Sequence, residues 1–324
     1  KSPQRQHIMA TKNLSEPKVQ EFQFHEIPKT TKWESFQKAI YDPDKKEFFG
    51  RTKKNWYQLL IFYTIFYACL AALWAICMRG LLATLSDTEP KYQLSDSLIG
   101  TNPGLGFRPI SKKTEEGSLI WYTLNQTEST KKWVDLTDEF LKPYKVDQVG
   151  KNYQACDHSV KVKKGHVCTV NLDEFGPCTN NNSYGYASSS PCVFLKLNKI
   201  FGWEPEYQTT VEEDMPKDLS VHIKNSNISN PEVWISCKGE NPFDRERIGG
   251  FSYYPSHGFP GYYFPYMNDP NYLSPIIAVQ IRNVLPNAIV NIECRAWAKN
   301  INYSGSRNNR EGSVHFEILV DEPK

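Results

Sequence analysis

The chain of 324 residues has little of what several large function classes need. It has almost no net charge, because 38 Lys and Arg stand against 36 Asp and Glu, and a general nucleic-acid binder carries a much larger basic excess. Its mean hydropathy of −0.55 excludes a channel or carrier with many membrane spans. It also lacks the patterns of a P-loop, a zinc protease, an α/β-hydrolase nucleophile and a protein kinase. We therefore predict no catalytic residue, no metal site and no cofactor.

One long apolar run is present, between Tyr57 and Met78, and it contains no charged residue. A helix of this length covers about 33 Å, which is enough to cross the hydrocarbon core of a bilayer. The alternative is a buried core helix, but such helices rarely continue so long without a charged face. No small-residue cleavage site follows the run, so we expect a membrane anchor rather than a signal peptide. We assign residues 57–79 to a single transmembrane helix.

Positive charge is concentrated before this run. The basic residues that precede it closely are Lys45, Lys46, Arg51, Lys53 and Lys54, whereas Arg79 at its far edge is followed by no other basic residue until Lys91. The positive-inside rule then predicts that residues 1–56 are cytoplasmic and that residues 80–324 form an extracellular domain. The chain is expected to be a single-pass type II protein of the plasma membrane.

The predicted transmembrane helix has two distinct faces. At 100° per residue, one stripe carries large side chains and another carries small ones. A phenol hydroxyl inside hydrocarbon needs a hydrogen-bond partner, and small residues let a second helix approach closely. We therefore predict contact with a partner helix; the alternative is that the aromatic side chains simply face lipid. The large stripe is Tyr63, Tyr67, Leu70 and Trp74, and the small one is Ala68, Ala72 and Ala75.

Eight cysteines are present. Two, Cys69 and Cys77, lie in the apolar run and are interpreted as apolar filler. The other six are expected to form three disulfides outside the cell, although six cysteines allow 15 connectivities. Proximity along the chain suggests Cys156–Cys168 and Cys178–Cys192, which leaves Cys237–Cys294. A zinc site of Cys156, His158, His166 and Cys168 is an alternative with an unusual spacing.

Alternating apolar residues predict a mainly β extracellular domain. In residues 233–237 and 290–298 the apolar positions share one strand face with Cys237 and Cys294. We therefore expect these cysteines to form a bridge between the two sheets of a β-sandwich. Further predicted strands are residues 193–197, 219–223, 276–281 and 314–320.

Sequons for N-glycosylation occur on the predicted outer side. They begin at Asn125, Asn181, Asn227 and Asn302, whereas Asn13 also starts a sequon but is expected to be cytoplasmic and unused. Residues 249–275 are rich in glycine, proline and aromatics. The aromatics of this segment either form a contact surface for protein or sugar or pack internally, and the sequence leaves both open.

A series of short motifs extends from the segment before the apolar run almost to the end of the chain. The motifs are Trp33-Glu-Ser-Phe36, Tyr41-Asp-Pro43, Phe48-Phe-Gly50-Arg-Thr52 with Trp56, Phe66-Tyr-Ala-Cys-Leu-Ala71, Tyr184-Gly-Tyr186, Pro191-Cys192 through Gly202-Trp203, Phe251-Ser-Tyr-Tyr-Pro255, Tyr272-Leu-Ser-Pro275, Ala278-Val-Gln280 and Ile292-Glu-Cys-Arg-Ala296. Together, and in this order, they resemble the β subunits of the Na⁺/K⁺-transporting P-type ATPases within the wider X⁺/K⁺-ATPase β family. The resemblance covers about residues 33–320 and is absent from residues 1–32.

The resemblance implies an immunoglobulin-like β-sandwich ectodomain anchored by a single N-terminal transmembrane α-helix, with its cysteines paired in sequential order. It implies a non-catalytic partner of a catalytic α subunit, needed for folding, export and membrane insertion of that subunit and modulating K⁺ occlusion and transport. A small regulatory single-span subunit is a further implied partner. Tyr63 and Tyr67 match transmembrane tyrosines that contact the α subunit in the family, whereas Ala68 and Ala72 stand where many members have glycine. The alternatives are an H⁺/K⁺-ATPase β subunit and a cell-adhesion glycoprotein.

Overall fold

The computed structural model of the chain describes residues 31–43, 45–150, 152–160, 162–226, 230–306 and 308–323. The chain divides into two compact units between Thr84 and Leu85. The first unit contains the predicted membrane span, and the second contains all three disulfides.

The first unit is built around one long helix. A short helix α1 (Lys32–Ile40) leads into three two-residue strands, β1 (Tyr41–Asp42), β2 (Glu47–Phe48) and β3 (Arg51–Thr52), which pair in sequence order. Helix α2 (Lys53–Leu82) follows directly and has 30 residues, so it extends the predicted span at both ends. None of its residues is buried, which excludes the alternative of a core helix and fits a span that faces lipid or a partner.

The second unit is a mainly β domain with two larger sheets. One sheet has four strands in the order β10-β12-β8-β4, and the other has five in the order β11-β9-β13-β14-β5. A short parallel pair, β6 (Tyr153–Gln154) and β7 (Val167–Cys168), lies apart from both. The strands of the first sheet are β4 (Leu105–Arg108), β8 (Cys192–Leu197), β10 (Phe251–Tyr254) and β12 (Ile276–Ile281). Those of the second are β5 (Leu119–Thr123), β9 (Glu232–Gly239), β11 (Gly258–Pro260), β13 (Ile289–Trp297) and β14 (Ser313–Asp321).

The core lies between these two sheets. Alternate residues of each strand point inward, so the inner faces of both sheets join in one buried apolar cluster. Phe107 of β4 and Phe316 of β14 stack across the gap with their ring centroids 5.0 Å apart. Each fully buried side chain of this kind stabilises the fold by about 2–3 kcal/mol. The expectation of a β-rich domain anchored by one helix is therefore confirmed.

A helix protects one edge of the five-stranded sheet. The edge strand β5 pairs with β14 in parallel, unlike the all-antiparallel sheets of an immunoglobulin domain. Helix α3 (Thr127–Leu141) lies beside β5, where the Trp133 indole donates to the Trp121 carbonyl at 2.7 Å and the Ser129 hydroxyl accepts from the Thr123 amide at 3.1 Å. These bonds occupy backbone carbonyl and amide groups of the edge strand that would otherwise be free to pair with another chain.

The predicted strand at residues 219–223 is wrong, because these residues belong to helix α4 (Lys217–Asn225). Leu219 and Ile223, four residues apart, are buried against Trp234 on the outer face of the five-stranded sheet, whereas Val221 between them is 57% exposed. Apolar residues at every second position fit the strand pattern, but only Leu219 and Ile223, at helical spacing, are buried.

The expected bridge between sheets is also wrong. Cys237 and Cys294 are bonded, but they stand directly opposite each other on β9 and β13, which are neighbours in one sheet. Both side chains project into the core, as the alternation predicted. The other disulfides join Cys156 to Cys168 and Cys178 to Cys192. The first two predicted pairs, from proximity along the chain, and the third, which they left over, are all confirmed.

Candidate subunit interface

The four residues of the predicted contact stripe lie together on one face of α2. They project from successive turns of the helix, and each is at least 44% exposed. The rings of Tyr63 and Tyr67 stack with their centroids 5.9 Å apart and their planes 25° from parallel. Leu70 and Trp74 continue the same stripe toward the far end of the helix. The stripe is therefore a continuous, uncovered surface of large side chains.

The tyrosine hydroxyls of this stripe have no acceptor within the described residues. By contrast, Thr64 on the same helix donates its hydroxyl to the Leu60 carbonyl at 2.8 Å. A donor without a partner in hydrocarbon is unfavourable by up to several kcal/mol. Contact of Tyr63 and Tyr67 with a second helix stays a prediction, and the missing acceptor is the physical argument for it.

The aromatic segment 249–275 packs mainly inside the second unit. The Tyr263 hydroxyl donates to the Thr169 carbonyl at 2.9 Å, and the Tyr272 hydroxyl donates to the Tyr263 carbonyl at 3.1 Å. Burial raises the pKa of both phenols above its ordinary value. The segment also forms one wall of an open cavity of about 810 Å³, where Met267 is 45% exposed. Internal packing and a surface concavity therefore occur in the same segment.

A buried carboxyl stands beside this cavity and has no counterpart in the sequence analysis. Glu232 on β9 has only 12% of its side chain exposed, and its Oε1 lies 3.9 Å from Nε2 of His158, which lines the cavity. Its Oε2 is buried without a hydrogen-bond partner among the described residues. Burial raises the pKa of Glu232 from 4.5 to about 7 and lowers the pKa of His158. In the sequence analysis Glu232 lies directly before the predicted strand of residues 233–237 and has no assigned role.

Replacing this carboxyl by an amide is expected to stabilise the domain at alkaline pH. The folded state holds the Glu232 proton more tightly than the unfolded state, so wild-type stability falls as pH rises from 4.5 to about 7. Above pH 7 the loss amounts to at most about 3 kcal/mol. Glu232→Gln should therefore unfold at higher denaturant concentration than wild type at about pH 8, with the advantage shrinking toward pH 4.5. The exposed Glu206→Gln is the control; an equal effect of both changes, or none at either pH, would contradict the prediction.

The residues described by the structure offer no metal site. No group of three or more His, Cys, Asp or Glu side chains among them is placed to hold a metal ion. The sulfurs of Cys156 and Cys168 are bonded to each other, so neither is available as a thiolate ligand. The zinc alternative for Cys156, His158, His166 and Cys168 is therefore wrong. The cysteines within α2, Cys69 and Cys77, are free and exposed.

Three of the four predicted glycosylation sites can be placed. Asn125, Asn181 and Asn302 are all exposed on the second unit, as an acceptor of a bulky glycan must be. Asn227 lies outside the described residues. The use of these sites stays a prediction.

Comparison with known proteins agrees with the resemblance carried by the motifs. The family model described as the sodium/potassium ATPase beta chain matches residues 27–316. The chain is 50% identical to the sodium/potassium-transporting ATPase subunit beta-1 of Drosophila melanogaster over 297 residues, which cover 91% of this chain and 96% of the relative. It is 45% identical to subunit beta-2 of the same species, over 91% of this chain and 94% of the relative. It is 31% identical to human subunit beta-2, over 89% of this chain and 94% of the relative. The chain belongs to the sodium/potassium ATPase beta chain family.

Proposed function

We propose that the chain is the non-catalytic β subunit of the Na⁺/K⁺-ATPase and that it accompanies a catalytic α subunit in the plasma membrane. The observation that carries this proposal is the family match across residues 27–316, with relatives named as subunits of the sodium/potassium-transporting ATPase. In this role the chain assists folding, export and membrane insertion of the α subunit and modulates K⁺ occlusion and transport. These finer roles rest on family membership.

The exposed stripe of α2 supports a subunit role. A lone span needs no polar groups in hydrocarbon, yet Tyr63 and Tyr67 place two hydroxyls there without an acceptor among the described residues. A neighbouring helix would supply acceptors and cover the rings of the stripe. The opposite face carries Ala68 and Ala72, whose small side chains permit close approach of a second helix, such as that of a small single-span subunit.

The proposed orientation places the N-terminus in the cytoplasm. The basic residues before α2 support it through the positive-inside rule. The three disulfides support it as well, because they all lie after α2 and such bonds persist in oxidising compartments. Removal of N-glycans should shift the mobility of the full chain; that shift should shrink in an Asn125→Gln variant but not in Asn13→Gln. The reverse result would invert the orientation.

Purification in mild detergent through a tag on this chain tests the function. A P-type ATPase α chain should be retained at a defined ratio, and its ATP hydrolysis should depend on Na⁺. Dependence on H⁺ instead would move the proposal to the H⁺/K⁺-ATPase, which shares most of the motifs. Recovery of the chain alone would overturn the subunit role and favour adhesion, which predicts that beads coated with the ectodomain cluster without any pump. A third, short single-span chain in the same preparation would support the regulatory partner.

A further inference from the structure

The segment before the membrane span folds as one unit with the beginning of α2. We call residues 32–43 and 45–56, which comprise α1, β1–β3 and the first turn of α2, the juxtamembrane module. The Phe49 amide donates to the Ile40 carbonyl at 2.8 Å and connects the three-stranded sheet to the end of α1. The Trp56 indole donates to the Phe48 carbonyl at 2.7 Å and connects the same sheet to α2. The module is therefore held where the span leaves the bilayer.

The module exposes an unusual number of aromatic side chains. Each is between 37% and 67% exposed, and none of the described side chains of the module is buried. The rings cluster instead of dispersing, since Phe48 contacts both Phe49 and Trp56. A water-soluble segment would hide such a surface, whereas aromatic rings are favourable at the level of the lipid headgroups. The aromatics are Trp33, Phe36, Tyr41, Phe48, Phe49 and Trp56.

The module also carries an excess of positive charge, which favours contact with an anionic surface. The sequence from 32 to 56 has seven basic and four acidic residues, and the two acidic side chains that the structure describes there, Asp42 and Glu47, are only half-exposed. An open hollow of about 500 Å³ between α1 and β1 is lined by Lys38 and Tyr41, whose ammonium and hydroxyl groups are donors suited to a phosphate. The exposed basic residues are Lys38, Lys45, Lys46, Arg51, Lys53 and Lys54.

We infer that the juxtamembrane module lies on the membrane and binds the surface of an anionic bilayer. The aromatic rings enter the headgroup layer, and the basic side chains contact the lipid phosphates and carboxylates. Continuity with α2 keeps the module within reach of the headgroups, so even modest attraction for each basic residue is sufficient to hold it there. Lipid thereby covers the aromatic side chains that the juxtamembrane module leaves exposed. This inference goes beyond the subunit role and does not depend on an α subunit being present.

Hydrogen exchange of the full chain in lipid nanodiscs tests the inference. Amides of residues 32–52 should exchange at least about tenfold more slowly in discs that contain phosphatidylserine than in discs of phosphatidylcholine alone. About 0.5 M salt, at which the Debye length falls to roughly 4 Å, should remove most of the difference. A disc offers both of its faces, so the result is independent of orientation in the cell.

Two sets of variants separate charge from general effects on the fold. The triple change Lys45→Gln, Lys46→Gln and Arg51→Gln should reduce the protection by phosphatidylserine at least about fivefold. The matched control, Lys217→Gln, Lys224→Gln and Lys299→Gln, removes three exposed charges from the second unit and should leave it unchanged.

Two outcomes would overturn the inference. Equal exchange in both lipids would show that anionic headgroups are not recognised. Protection that arises only when a catalytic α chain is reconstituted with the β chain, whatever the lipid, would assign the surface to a protein contact. Co-purification of the α chain is measured separately, so failure of the subunit role and failure of lipid binding can be told apart.

Discussion

Replacing Cys237 with Ser is expected to prevent the chain from reaching the cell surface. The Cys237–Cys294 bond closes a loop of 57 residues between β9 and β13, two interior strands of the five-stranded sheet. In the loop-closure model, a disulfide of this span stabilises the native state by about 4 kcal/mol. The substitution also leaves a hydroxyl and a free thiol in the core, because the two cysteines are 6% and 0% exposed. The combined loss is a large share of the ~5–15 kcal/mol that holds an ordinary domain together.

Surface labelling and sensitivity to endoglycosidase H measure this outcome. Cys237→Ser should stay in the endoplasmic reticulum with immature glycans, and so should the double change Cys237→Ala and Cys294→Ala, which introduces no polar atom. Cys77→Ala is the control, because Cys77 is a free cysteine of the span and takes part in no bridge. Normal surface delivery of the double variant would contradict a structural role for the bridge.

The Cys237–Cys294 disulfide shows which features of the fold the sequence pattern can predict and which it cannot. Alternation identified the strands around Cys237 and Cys294 and the face from which both project. It could not tell whether two strands face each other across the core or lie side by side, because strand order depends on long-range pairing. The bridge was therefore expected between sheets and lies within one.

The prediction of a strand at residues 219–223 failed because the same residues fit two local patterns, that of a strand and that of a helix. Leu219, Val221 and Ile223 fit a strand by alternation, but Leu219 and Ile223 also fit a helix, and burial against Trp234 decides for the helix. The buried carboxyl of Glu232 could not be identified from the sequence, since its burial and its pKa depend on neighbours distant in the chain. By contrast, the span and its tyrosine stripe could be predicted, because a helix in lipid depends on its own residues.

Replacing Tyr63 and Tyr67 together with Leu is expected to loosen the complex with the α subunit. The two rings stack on the uncovered face of α2, and hydrogen bonds between helices in a membrane contribute about 0.6–2 kcal/mol each. Loss of both hydroxyls and both rings should weaken association by about 1–3 kcal/mol, which corresponds to roughly 5- to 150-fold. The measurement is the fraction of α chain retained on the tagged β chain as the detergent concentration rises.

Two further variants assign this effect to chemical groups. The double change Tyr63→Phe and Tyr67→Phe keeps the rings and removes only the hydroxyls, so a loss close to that of the Leu variant would identify the hydrogen bonds as the main contribution. Phe62→Leu makes the same kind of change about 100° around the helix from Tyr63, outside the stripe, and should leave retention unchanged. Unchanged retention in the Tyr-to-Leu variant would exclude this face as the contact, and an equal loss in Phe62→Leu would show that any large aromatic on α2 matters. The prediction requires that the partner place acceptors opposite these two hydroxyls, because no described residue of this chain supplies them.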